Sequence, residues 1–124
     1  MDTREHLFDI IEDFDTAMMI TREGENFHAR PMAVARFEKG TDAYFATSLD
    51  SPKVAEIEAR PQILLTFQGD TTYASVEGRA SVVRDRALIE KLWSPAWKAW
   101  FPQGKDDPNL CILKVDPTAA EYWD

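Results

Sequence analysis

Cysteine is almost missing from this chain, with Cys111 alone among 124 residues. No intrachain disulfide can form, and the composition fits a reducing cytoplasm, the expected location. Histidine is also scarce. His6 and His28 are the two present, too few and wrongly spaced for a zinc site, so no metal is expected. Basic residues are outnumbered 14 to 22, for a formal net charge of −8. Nucleic acid and anionic membrane surfaces attract basic patches, so neither is an expected partner. No apolar run approaches membrane-spanning length, and the charged start MDTREHLFDI has no visible signal peptide. A G-x-G-x-x-G turn, a P-loop and a Ser/His/Asp arrangement are all lacking. Dinucleotide dehydrogenase, nucleotide triphosphatase and hydrolase readings therefore have no support.

What is present reads as one ordinary domain over residues 1–124, being 44% hydrophobic and 29% charged. Asp2 to Glu5 resembles a capped helix start, and Leu7, Phe8, Ile10, Ile11 and Phe14 keep helical spacing to about Asp13. Strands are expected at 16–22 and 27–37, with a turn at 38–42 leading to a third strand that ends at Thr47. Ser51 starts a helix that Pro61 stops, and QILLTF follows as a fourth strand. YASVEGRASVV (73–83) has the cleanest alternation, and Gly78 on its apolar row signals a bulge or close backbone approach. Asp85 caps a helix carrying Leu88, Ile89, Leu92 and Trp93, and Ser94-Pro95 starts a shorter one. The last strand runs from Leu110 to Val115 and holds Cys111 as a core residue, with Pro117 breaking the chain before the tail. This is an α+β pattern of six short strands, and closing them into a small antiparallel barrel leaves the fewest exposed edges.

Residues 43–61, AYFATSLDSPKVAEIEARP, carry the clearest chemistry. A strand end at Thr47 leads through a short loop to Ser51, a good N-cap, and Pro52, a good first helical residue. Free N–H groups of the first turn, the helix dipole and Lys53 together make an anion site, with Thr47 and Ser51 as further donors. An ordinary capped surface helix with a solvated lysine is the alternative. On the second strand, Phe27, Ala29, Pro31, Ala33, Ala35 and Phe37 form a small apolar row suited to a packed interior. Pro31 offers no ladder donor, which places this part of the strand at an edge or bulge. In the opposite row, Arg30 beside Met32 would grip an aromatic anion or else be a solvated face residue paired with a glutamate.

Trp93, Trp97, Trp100 and Phe101 crowd into nine positions, with spacings that put the indoles near one helical face. Packing in a core or dimer interface takes the larger share of that cluster, and a wall over a ligand is compatible with it.

FHARPMAV, YFATSLDSPKVAEIEARPQILLTF and YASVEGRASVV resemble the pyridoxamine 5′-phosphate oxidase-like split-barrel flavoproteins. The closing block LWSPAWKAWFPQGKDDPNLCILKVDPTAAEYWD narrows the resemblance to the general stress protein branch. The resemblance implies a six-stranded antiparallel split barrel with flanking short helices, usually a homodimer, with FMN at the subunit interface. Carried over by position, it implies cofactor contacts at Arg30, Pro31, Met32, Thr47, Ser48, Ser51, Lys53, Trp97 and Trp100. Pro52 stands where the oxidases usually have an arginine, so one positive charge is missing. The C-terminal Arg-x-His substrate motif is missing too, and with it the oxidase activity itself. The expectation is an FMN-dependent oxidoreductase of unidentified substrate, with NAD(P)H or another small redox partner and no side chain named as catalytic. A non-catalytic flavin-binding or sensing protein is the alternative, and a dimeric stress protein that has lost its cofactor is a third reading.

Overall fold

The computed structural model describes residues 3–37 and 42–123. The Asp2 cap and residues 38–41 of the expected turn lie outside the described residues. The elements run α1 (Thr3–Ile11), β1 (Thr16–Glu23), β2 (Asn26–Phe37), β3 (Ala43–Ser48), α2 (Pro52–Ala59), β4 (Gln62–Gln68), β5 (Tyr73–Val83), α3 (Arg86–Leu92) and β6 (Leu110–Trp123). Short 3-10 helices at Pro95–Ala99 and Gly104–Asp106 fill the segment between α3 and β6. The strands form a closed antiparallel barrel in the order β1-β2-β3-β6-β5-β4, with β4 pairing back to β1. The expected six-stranded barrel is met.

Alternation builds its interior. Ala17 and Met19 of β1, Leu65 and Phe67 of β4, Ala74 and Val76 of β5, and Leu113 and Val115 of β6 are all buried together. Leu7, Phe8 and Ile11 of α1 close one side of this core. Each of the larger of these side chains taken out of water stabilises the fold by about 1.5–3 kcal/mol before chain entropy is counted. A second cluster lies on the outer face of β3 and β6, where Tyr44, Leu110 and Ile112 pack against Ile89, Leu92, Trp97 and Phe101. It anchors the α3 region beside the end of β3. Cys111 is fully buried, as expected of a core residue. Among the described residues, no helix is long and apolar enough to cross a membrane.

Two expectations are corrected. The row of β2 expected inside is outside: Phe27 is 69% exposed, and Ala29, Pro31 and Ala33 are exposed as well. Pairing explains the reversal. Ala17, Met19 and Thr21 of β1 are buried, and their direct partners are Met32, Arg30 and His28. Directly paired residues share a face, so β1 turns that row inward and the Phe27 row outward. Up to Ala33, β2 pairs with β1 only, so Pro31 does sit on an edge. The second correction concerns β6, which passes Pro117 without a break and pairs with β5 as far as Trp123. Pro117 stands opposite Gly78, where the register shifts. The bulge has already interrupted the ladder there, so the missing N–H costs little. A Cβ on Gly78 would meet Val115 Cγ1 at 2.7 Å and the Asp116 carbonyl at 3.0 Å, so only glycine admits this close approach.

Candidate functional site

The end of β3 and the start of α2 form one wall of a cavity of about 420 Å³. Ala46, Thr47, Ser48, Ser51 and Lys53 come from that wall, Pro31, Met32 and Ala33 from β2, and Trp97, Trp100 and Phe101 from the tryptophan-rich segment. The volume lies within the ~300–1,000 Å³ of small-molecule sites, and the lining is mostly apolar with a few convergent polar groups. Every expected cofactor residue except Arg30 is in this lining. Phe101 joins it from the aromatic cluster, and Ala33 and Ala46 join it unforeseen. The two alanines make room without chemistry, which leaves no signal in a single sequence.

Among the described residues, Lys53 is the only charged side chain lining the cavity. Its ammonium donates to Ser51 Oγ at 2.7 Å and Thr47 Oγ1 at 2.9 Å, and no carboxylate pairs with it among the described residues. Burial lowers the Lys53 pKa from its ordinary value, and the nearby Arg30 charge lowers it further, against weaker opposition from Cys111 and Glu56. A cation held by neutral hydroxyls in a partly buried position gains from an incoming anion. Each hydroxyl accepts from Lys53 and keeps its own hydrogen to donate outward.

The helix start itself differs from the expectation. Ser51 has the extended N-cap backbone, but its side chain makes no capping bond and serves Lys53 instead. Pro52 has no N–H, and the Val54 N–H donates to the Ser51 carbonyl at 3.0 Å. Fewer amides are therefore free than a helix start ordinarily offers, and the anion-attracting character rests mainly on Lys53. The preceding loop is braced by Asn109, whose Nδ2 donates to Ser48 Oγ at 3.0 Å and Asp50 Oδ1 at 3.3 Å. Thr47 pairs in register with Cys111, whose thiol burial pushes up to about 11. That thiol stays protonated at neutral pH and is inert packing.

Arg30 points elsewhere. Its guanidinium donates to Thr21 Oγ1 at 2.7 Å and to Glu56 Oε1 at 3.2 Å. Of the two readings open from sequence, the glutamate partner is present, but Arg30 is mostly buried with it and is not a solvated face residue. Glu56 lies three residues beyond Lys53 on α2 and is 7% exposed. Thr21 Oγ1 donates to its Oε1 at 2.7 Å, and His28 Nδ1 lies 2.9 Å from its Oε2. Burial raises the Glu56 pKa, but hydrogen bonds from Thr21 and His28 and the charges of His28 and Arg30 outweigh it, so the carboxyl sits below its ordinary value. Glu23 completes a group in which one ligand-type atom each of Glu23, His28 and Glu56 lie within 4.8 Å of one another. With a guanidinium already on Glu56, the arrangement is an ion-pair network and works against a second cation. The sequence offered a glutamate for Arg30 but singled out neither Glu56 nor its Thr21 and His28 partners.

The indoles do not share one helical face. Trp93 follows α3, Trp97 lies in the 3-10 helix, and Trp100 comes after it. Trp97 is buried in the outer cluster and meets Trp93 edge-on, with centroids 5.5 Å apart. Trp100 is 68% exposed on the cavity rim.

The barrel and the cavity at the β3–α2 junction define the class of protein. The chain belongs to the family described as pyridoxamine 5′-phosphate oxidase like, whose model matches residues 2–124. It is 34% identical over 122 residues to General stress protein 26 of Bacillus subtilis, covering 94% of this chain and 84% of that protein. It is also 34% identical over 119 residues to Protein bli-3 of Neurospora crassa, covering 86% of this chain; it spans only 57% of that relative's length. Among solved structures, the general stress FMN/FAD binding protein of Xanthomonas citri superposes with a TM-score of 0.84 at 30% identity, covering 97% of this chain and 87% of that one.

Proposed function

We propose that the cavity binds FMN, with its phosphate against Lys53, Ser51 and Thr47 and its ring between Met32 of β2 and the Trp97–Trp100 segment. The observation that carries this reading is Lys53, an ammonium whose partners among the described residues are hydroxyls, in a mostly apolar cavity. A phosphate supplies the missing negative charge, and the apolar walls suit a planar aromatic ring. Similarity to an FMN/FAD binding protein supports the same ligand class. Ser48, Pro31 and Trp97 contribute shape, and Trp100 stands at the rim as a cover. Arg30 supports the site from outside the lining, through its charge.

The protein acts as a single-domain homodimer in the cytoplasm. The outward row of Phe27, Ala29, Pro31 and Ala33 is apolar and exposed beside the cavity, and Pro31 and Ala33 also line it. A second subunit on this row would cover the apolar surface and narrow the cavity mouth. The chemistry a bound flavin supplies is two-electron exchange with a donor such as NAD(P)H and a small acceptor. The chain's own residues hold and shield it. A non-catalytic flavin-binding or sensing role is the second reading, favoured by one observation: among the described residues, the cavity lining contains no carboxylate or imidazole to move a proton.

The test is to incubate the purified protein with FMN, desalt it, and read visible absorbance and mass in solution. Retained flavin near one per subunit in a dimer supports the proposal. Colourless protein overturns it. NAD(P)H oxidation by the loaded protein then separates the enzyme from the binding reading.

A further inference from the structure

We propose that Glu56 is a positioning residue for the anion site, which it tunes by neutralising Arg30 and tying it to the β1–β2 hairpin, so that the cavity presents one uncompensated cation, Lys53. The inference rests on the proposed phosphate contact at Lys53 for its ligand and on the ion-pair geometry for its substance. Lys53 and Glu56 are separated by less than one turn of the same helix, and their heads go to different places. Lys53 reaches the cavity, while Glu56 reaches Thr21, His28 and Arg30. Arg30 is absent from the lining because Glu56, Thr21 and the Met19 carbonyl hold it, the last at 3.4 Å. Its charge nevertheless reaches Lys53, as does the opposing charge of Glu56. The strength of the anion site is thus set by a carboxylate that does not line the cavity.

Glu56→Gln separates charge from shape. The amide keeps an oxygen for Thr21 and leaves Arg30 without its counter-charge. The expected result is that FMN binds about three- to tenfold tighter while riboflavin, which lacks the phosphate, is unchanged, the size expected for removing one charge near a partly exposed pair. The gain shrinks at high salt. It disappears in the double variant Glu56→Gln/Arg30→Gln, which restores the original charge balance. A readout without flavin decides the matter independently. The pH midpoint of Lys53 acylation, followed by peptide mass, moves down in Glu56→Gln and returns in the double variant.

Unchanged FMN preference together with an unmoved Lys53 midpoint overturns the proposal, as does weaker FMN binding in a folded Glu56→Gln protein. If the unsubstituted protein binds neither flavin, the cavity reading fails, and the acylation midpoint alone judges Glu56. Arg30→Gln by itself serves as the folding control, because it leaves α2 and the Thr21–Glu56 bond in place. It is expected to weaken FMN and raise the Lys53 midpoint.

Discussion

Two charged side chains on one short helix meet opposite fates. Lys53 is half-buried with two neutral hydroxyls and no counter-ion among the described residues. Glu56, more deeply buried, has a guanidinium, an imidazole and a hydroxyl around it. Burial works against the charge of both. For Lys53 burial wins and the pKa falls, and for Glu56 the partners win and the pKa falls as well, in favour of its charge. A charge whose partners already satisfy it holds the fold together. A charge left with neutral partners beside a cavity is prepared for a ligand.

Substitution on the Glu56 side gives the largest expected effect on stability. Glu56→Ala strands Arg30 and removes the tie between α2 and β1–β2, costing about 3 kcal/mol in denaturant unfolding, the order seen when one partner of a buried pair is lost. A loss below about 1 kcal/mol would mean that the network contributes little. On the Lys53 side the effect moves from stability to binding. Lys53→Ala lowers the preference for FMN over riboflavin by about tenfold or more, the scale of a charge-assisted hydrogen bond, with an unfolding midpoint close to the unsubstituted protein. A large stability loss with unchanged preference would reverse the assignments of the two faces.

Acid sharpens the same contrast. The folded-state pKa of Glu56 lies below its unfolded value near 4.5. Its contribution is therefore present above the unfolded pKa and lost as pH falls through the depressed folded value. Stability measured between about pH 5 and pH 3 is expected to fall more gently in Glu56→Gln than in the unsubstituted protein. Parallel curves would show that Glu56 is not a source of acid sensitivity. At the alkaline end the preference for FMN declines before the ordinary lysine range, because Lys53 gives up its proton below 10.5. The smallest expected effects belong to the hydroxyls. Thr47→Val and Ser51→Ala each weaken FMN by about two- to fivefold, as loss of a single neutral hydrogen bond does, and leave riboflavin unaffected in the same fluorescence titration.

Much of this was legible in the residues. The alternation of β5 placed Ala74, Val76 and Ala80 inside and flagged the Gly78 bulge. The strand-loop-helix pattern around Thr47, Ser51 and Lys53 marked a site whose side chains do converge. Other features depended on pairing that no local pattern encodes. The apolar row of β2 reads as an interior from composition, yet the buried residues of β1 decide which row faces in. Pro117 reads as a strand end because the glycine that accommodates it is far away in sequence. Glu56 drew no reading of its own, since its partners lie 26 to 35 positions away on β1 and β2. Trp97 packs in the outer cluster and, with Trp100, lines the cavity, but the tryptophans have no common helical face, because Ser94-Pro95 starts a new 3-10 segment.

The most direct test of the account is a paired fluorescence titration of FMN and riboflavin into the unsubstituted protein and Lys53→Ala. The account predicts that FMN binds more tightly than riboflavin and that the difference collapses in Lys53→Ala, leaving riboflavin where it was. Equal binding of the two flavins to the unsubstituted protein, or an FMN preference that survives loss of Lys53, would contradict it.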